Sequence, residues 1–128
     1  MPSFGTLKAD TLTHSTAGSL ATNYVVDGSA KAFTNNDMTV PDIRKSLNVS
    51  SIADNGTGQS TTTLTSALSS TDSFATGAAG GDASTNRSNR TNTVGIKSTS
   101  TFFMYSTISG GSDADVENQA GLLMGDLA

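Results

Sequence analysis

The chain has 128 residues, a net charge of −4 and 14% charged residues, which suits one domain with an arm attached. Leu, Ile, Val and Phe supply only 24 of those residues. That is thin for a core, but the low charge removes the self-repulsion that holds disordered chains open. The acidic balance argues against phosphate-neutralising nucleic-acid binding, and the absence of Cys excludes disulfides and thiolate metal sites.

Two readings of the thin core stay open: a polar disordered chain, or one that completes its core by pairing with copies of itself. No apolar run nears the roughly 20 residues that span a bilayer, so no membrane insertion is expected. The opening Met1-Pro2-Ser3-Phe4-Gly5 lacks the pattern of a signal peptide, so synthesis is expected in a cytoplasm. Ser and Thr are abundant, while Glu occurs once, at Glu117. Thr favours strands and Ser, Asn, Gly and Asp favour turns, so the expectation is all-β.

In chain order, residues 1–29 read as an extended N-terminal arm with one or two strands, Thr6–Leu12 among them, a disordered terminus being the alternative. Residues 30–128 read as the folded domain. Ala30–Asn36 is a short strand before the Pro41 break. Leu47–Ser66 reads as a β-hairpin around Asp54-Asn55-Gly56-Thr57-Gly58, with a loop longer than two residues. Gly77–Asn92 reads as a polar loop, Thr93–Ile108 as a β stretch, and the apolar Ala120–Ala128 as a final strand. Ser112–Asp115 resembles a helix capping box, yet Gly121 and Gly125 disfavour a helix there, so a loop of at most one turn is expected. The predicted core is Phe33, Leu47, Val49, Ile52, Leu64, Phe74, Val94, Ile96, Phe102, Met104, Ile108, Leu122 and Met124.

Chemistry-bearing residues are sparse. His14, the single His, sits in the polar arm, and Ser and Asp are too common for a triad to stand out. Asp113, Asp115 and Glu117 alternate and on a strand would share a face able to hold Ca²⁺, although a solvated acidic loop explains them more simply. Asn48, Asn55, Asn86 and Asn89 head glycosylation-type sequons, a pattern that chance supplies in so Ser- and Thr-rich a chain. Arg87, Asn89 and Arg90 form a candidate partner-binding loop, since a guanidinium grips carboxylate or phosphate. No enzyme activity, cofactor or metal is expected.

The run Asn48-Val49-Ser50-Ser51-Ile52-Ala53-Asp54-Asn55-Gly56-Thr57-Gly58 resembles the "NVSSITDNGTG" segment of marine tailed-phage structural proteins. Lys31-Ala32-Phe33, Thr6–Leu12 and Gly121–Ala128 are similar to flanking stretches of the same proteins, so that about half the chain takes part. After Gly58 the sequence departs from the aromatic pattern of that family, and the Gly77–Asn92 segment has no counterpart in it. The resemblance implies a β-rich terminal domain of a virion-surface fibre or appendage, typically trimeric.

Composition and resemblance together predict an antiparallel β-sandwich or small β-barrel, residues 30–128, carrying the arm. The expected function is a minimal tail-fibre or appendage protein on the virion surface, forming a homotrimer attached to a tail or capsid neighbour. The alternatives are a capsid decoration protein and a host-receptor or glycan-binding knob.

Overall fold

A computed structural model describes residues 9–72, 74–81, 90–108 and 110–128. The protein is all-β: two four-stranded antiparallel sheets pack face to face as a sandwich and do not close into a barrel. One sheet holds β3 (Ala30–Asp37), β4 (Asp42–Leu47), β7 (Phe74–Gly81) and β10 (Asn118–Gly125), in the order β4-β3-β10-β7. The other holds β5 (Val49–Gly56), β6 (Gln59–Leu64), β8 (Arg90–Ser98) and β9 (Thr101–Ile108), in the order β5-β6-β9-β8.

Ahead of the sandwich, β1 (Thr11–His14) and β2 (Gly18–Ala21) form a small hairpin, followed by α1 (Thr22–Gly28). One or two strands were expected here; the helix was not. Its start is tied back to the hairpin, with the Thr22 amide donating to Asp10 O at 2.9 Å and its hydroxyl to Ala9 O at 2.7 Å. Lys31 anchors its end by donating to Val26 O and to Ser29 Oγ. Of the expected Thr6–Leu12 strand, residues 6–8 lie outside the described residues, Ala9 and Asp10 precede any strand, and Thr11 and Leu12 open β1.

The chain passes from one sheet to the other at Asn48, a non-glycine residue at φ +55°. Asn and Asp tolerate this left-handed region better than other residues, because the short side chain bonds locally. Here the Asn48 amide group copies a backbone ladder: the Ser66 N–H donates to Asn48 Oδ1 at 2.7 Å, and Asn48 Nδ2 donates to Ser66 O at 3.0 Å. Leu47 therefore ends β4 and does not begin the hairpin. In the hairpin itself, Asp54 accepts from the Gly56 N–H at 2.8 Å, and a bulge brings Gly56 opposite Gln59. The connection is thus the two residues Thr57-Gly58, tighter than the sequence predicted.

The predicted Gly77–Asn92 loop is overturned at both ends, its middle, 82–89, lying outside the described residues: residues 90–92 belong to β8, and 77–81 to β7, an edge strand paired along its length with β10. Gly80 permits this, because a Cβ there would lie 1.9 Å from the Asn92 side-chain amide. Small residues are what let β7 approach the neighbouring sheet at this corner. The stretch predicted as one β segment over Thr93–Ile108 is two strands, turned at Thr99-Ser100 by the Ser98 and Thr101 hydroxyls, 2.7 Å apart. As expected, the last segment is a strand and residues 114–117 form no helix.

The inner layer contains Ala32, Leu64, Leu68, Phe102, Met104 and Leu123, with Val49, Val94 and Ile96 packed against it. Of the predicted core, Leu64, Phe102 and Met104 are buried, and Val49, Val94 and Ile96 are partly buried. Ile52 and Met124 are half-buried, and the Phe74 side chain lies outside the described residues. Leu47, Leu122 and Ile108 are exposed, and Phe33 sits on the outer face opposite Leu122. The reason is steric. The large Phe102 and Met104 fill the space between the sheets, so the inner face of β10 carries Gly121, whose Cβ would lie 2.7 Å from Met104 Sδ and 3.3 Å from the Phe102 ring. Large opposite small is how two sheets interdigitate.

Much of the inner face is polar. Gln119 is fully buried and bridges the sheets: Ser60 Oγ donates to its Oε1 at 2.5 Å, and its Nε2 donates to Ser106 Oγ at 2.8 Å and to Gly58 O at 3.3 Å. Ser106 Oγ in turn donates to Asn92 Oδ1. Thr62 is equally buried, yet its hydroxyl has no hydrogen-bond partner among the described residues. An unmet buried hydroxyl costs free energy, so Thr62→Val should raise the unfolding free energy by about 1 kcal/mol. Urea titration followed by circular dichroism reads this, and a less stable variant would mean the hydroxyl is bonded in solution.

Candidate functional site

The outer face of the β4-β3-β10-β7 sheet is apolar. Antiparallel register sets Leu47, Phe33, Leu122 and Gly77 side by side in one row, and Lys45, Asn35, Ala120 and Ala79 in the next. Leu47 is 48% exposed and Leu122 38%. Across β3, β10 and β7 runs a shallow groove of about 390 Å³, floored by Phe33, Ala120 and Leu122 and flanked by Gly77 and Ala79. The small side chains of β7 keep this face flat. Monomeric proteins rarely leave contiguous apolar surface of this kind in water. Beside β10 stands α1, with Tyr24, Val25 and Val26 all exposed, Tyr24 to 65%.

At one end of this sheet the charged groups are internally matched. The Asp37 carboxylate accepts from the Thr39 amide at 3.0 Å, from the Thr39 hydroxyl at 2.6 Å and from Arg44. These bonds, the Thr39 hydroxyl foremost, hold its pKa below the usual carboxylate range despite partial burial. Arg44 also donates to Asn118 Oδ1 at 3.2 Å, which fastens edge strand β4 to β10. The arrangement is structural, with both partners of the ion pair already engaged.

The alternating carboxylates are separated by their contacts. Asp115 Oδ1 accepts from the Gly58 N–H at 2.7 Å, whereas Asp113 Oδ2 accepts from the Tyr105 hydroxyl at 3.0 Å and from Gln59 Nε2 at 3.5 Å. The bond to Asp113 raises the Tyr105 pKa, because it favours the protonated phenol. These two side chains act as fasteners for the hairpin turn and for β9. Among the described residues, no group of three or more His, Cys, Asp or Glu side chains is placed to hold a metal ion.

Of the predicted partner-binding loop, Arg87 and Asn89 lie outside the described residues. Arg90 opens β8, opposite Ile108, and its side chain is likewise not described. The backbone of His14 pairs with Gly18 in the N-terminal hairpin. Sequence reasoning missed the apolar outer face because it assigned Phe33, Leu47 and Leu122 to the core. The available signal was parity. In β10, Gly121 and Leu123 alternate with Ala120 and Leu122, and hydrophobicity alone does not say which set faces in. No helix among the described residues is long and apolar enough to cross a membrane. No family model matches this chain, and neither a curated protein nor a solved structure matches it.

Proposed function

We propose that the protein is a structural component of a tailed-phage virion surface, a minimal fibre or appendage protein. It is joined to a neighbouring tail or capsid protein through residues 1–29 and assembled with copies of itself into a homotrimer. The observation that carries the self-assembly is the apolar outer face, with Leu47 and Leu122 exposed beside Phe33. A second copy is the occupant that fits it. The face is flat, Lys45 is the only charge in its two central rows, and the chain's small net charge opposes association little. A four-stranded face of this kind spans roughly 20 Å across its strands, enough for an interface at the small end of the specific range. Three copies turning it toward a common axis would add the burial that the 24 large aliphatic and Phe residues do not supply to one copy. The virion assignment draws on the resemblance of Asn48–Gly58, and the exposed α1 is the natural contact for the neighbouring protein.

Light scattering coupled to size exclusion tests the assembly. The expected mass is three times the 13.0 kDa chain, and Leu122→Asp should reduce it to one chain without loss of fold, because that side chain lies outside the sandwich. A wild-type monomer at micromolar concentration would overturn self-assembly. Quantitative mass spectrometry of purified particles tests the location. A few copies per particle fit an appendage, a number near that of the capsid protein replaces it with a decoration role, and none removes the virion reading.

A further inference from the structure

The outer face of the second sheet is different in kind. Strand β9 places Phe103 and Tyr105 two residues apart, hence on the same face, which points away from the core. Register sets Phe103 between Thr61 and Gly95, and Tyr105 between Gln59 and Thr93. Phe103 is 40% exposed. Its ring tip leans across the neighbouring strand over Gly95, where a Cβ would lie 2.4 Å from Cζ. The ring therefore lies low over the sheet surface and is backed by backbone. Next to it the Tyr105 hydroxyl is fixed, receiving a hydrogen bond from Gln59 Nε2 at 3.1 Å and donating to Asp113 Oδ2 at 3.0 Å. Asn55 and Lys97 border the same groove, whose volume is about 400 Å³.

We propose that this groove binds a neutral polysaccharide, one sugar ring stacking on Phe103. A pyranose presents an apolar C–H face surrounded by hydroxyls. The groove presents an apolar ring bordered by side-chain amides, a phenol and an ammonium. Sites that recognise small polar molecules combine these same two elements: a flat apolar contact and a few fixed polar groups. The locked Tyr105–Gln59–Asp113 chain means that little side-chain freedom is lost on binding. Nucleic acid is disfavoured, because among the described residues Lys97 is the only cation lining the groove, Asp113 is bonded to Tyr105 at its border and the chain is net negative. An extended peptide would add to a sheet edge, not lie across the middle of its face. This inference concerns the sheet opposite the assembly face, so it stands or falls separately from the trimer.

The test is native affinity electrophoresis of the full chain in gels containing galactomannan, laminarin or hydroxyethyl cellulose, with alginate as the anionic comparison. Retardation by at least one neutral polymer is expected. Phe103→Ala should weaken it about tenfold or more, as loss of a central aromatic contact does, while leaving the thermal melt in place because the ring lies outside the core. Gly95→Ala displaces the ring without deleting it and should give an intermediate loss. No retardation by any neutral polymer would overturn the proposal. So would retardation by alginate alone, which would assign an anion site at Lys97, or binding unchanged in Phe103→Ala. A change of oligomeric state in Phe103→Ala would also overturn it, marking the face as a contact between copies.

Discussion

Gly58→Ala should be among the most damaging single substitutions in the protein, lowering the unfolding free energy by about 4 kcal/mol or more. Two effects add. Gly58 has φ +72°, a region that costs an L-residue about 1–2 kcal/mol. In addition, an alanine Cβ would lie 2.4 Å from Ser106 O and 2.9 Å from the Ala114 amide nitrogen. Both are backbone atoms, so no rotamer change relieves the overlap. The position also cannot shift freely. The Gly58 N–H donates to Asp115, while its carbonyl accepts from the Ser106 amide at 2.8 Å and from Gln119. Gly56→Ala is the control: it carries the positive φ, at +116°, but nothing lies within 4 Å of its Cβ position. Urea midpoints should fall much further for Gly58→Ala. Equal losses would show that backbone conformation alone accounts for both.

Phe102→Ala should cost about 3–5 kcal/mol, the usual range for truncating a fully buried aromatic ring. The structure adds a finer expectation. Gly121 faces the ring from the opposite sheet and leaves it room. Gly121→Ala in the wild type must push Met104 Sδ aside and should destabilise. In the Phe102→Ala background the same methyl enters a vacated volume and should cost less or stabilise. The two substitutions are therefore expected to be non-additive in a double-mutant cycle. Strict additivity would mean that the sheets do not interlock at this pair.

How much of this was legible depended on which residues carry the signal. The hairpin turn at Asp54–Gly58 could be read because its chemistry is local: Asp54 closes on Gly56, and Gly58 takes the positive φ. The corner at Asn48 was not read, because its amide is matched to Ser66, eighteen residues away. The hairpin, strands over Ala30–Asn36 and from Ala120 onward, and an all-β sandwich or small barrel follow from local signals, and the structure has strands at Ala30–Asp37 and Asn118–Gly125 in a sandwich. The Thr99-Ser100 turn was not legible, because it contains no Gly, Asn or Pro and is held by two hydroxyls. Strand β7 was not legible, because Gly-Ala-Ala-Gly-Gly has little intrinsic strand preference and owes its conformation to pairing with β10. Face assignment failed in β3 and β10, where Ala32, Thr34, Asn36 and Gln119 point inward while Phe33 and Leu122 point outward. Burying Gln119 is tolerable because Ser60, Ser106 and Gly58 across the sandwich receive it, while Thr34 bonds to Asn36 within β3, and the inward face of β3 read alone reveals none of this. The Phe103–Tyr105 pair was read as part of a β stretch, but its solvent-facing surroundings come from four strands and could not be assembled from one.

The position of β10 has a consequence for synthesis. It lies between β3 and β7, so it completes their sheet, yet it follows every other strand of the sandwich along the chain. Until residue 125 has emerged, β3 and β7 have no common neighbour, and Phe102 and Met104 have no opposing layer to pack against. The hairpins β3-β4, β5-β6 and β8-β9 are local and can form as the chain lengthens. The sandwich must then close in a single late step, when the final strand inserts between two waiting edges. A nascent chain stalled before that point would expose both edges at once, which makes translation pauses before β10 has emerged the interval of greatest risk for misassembly.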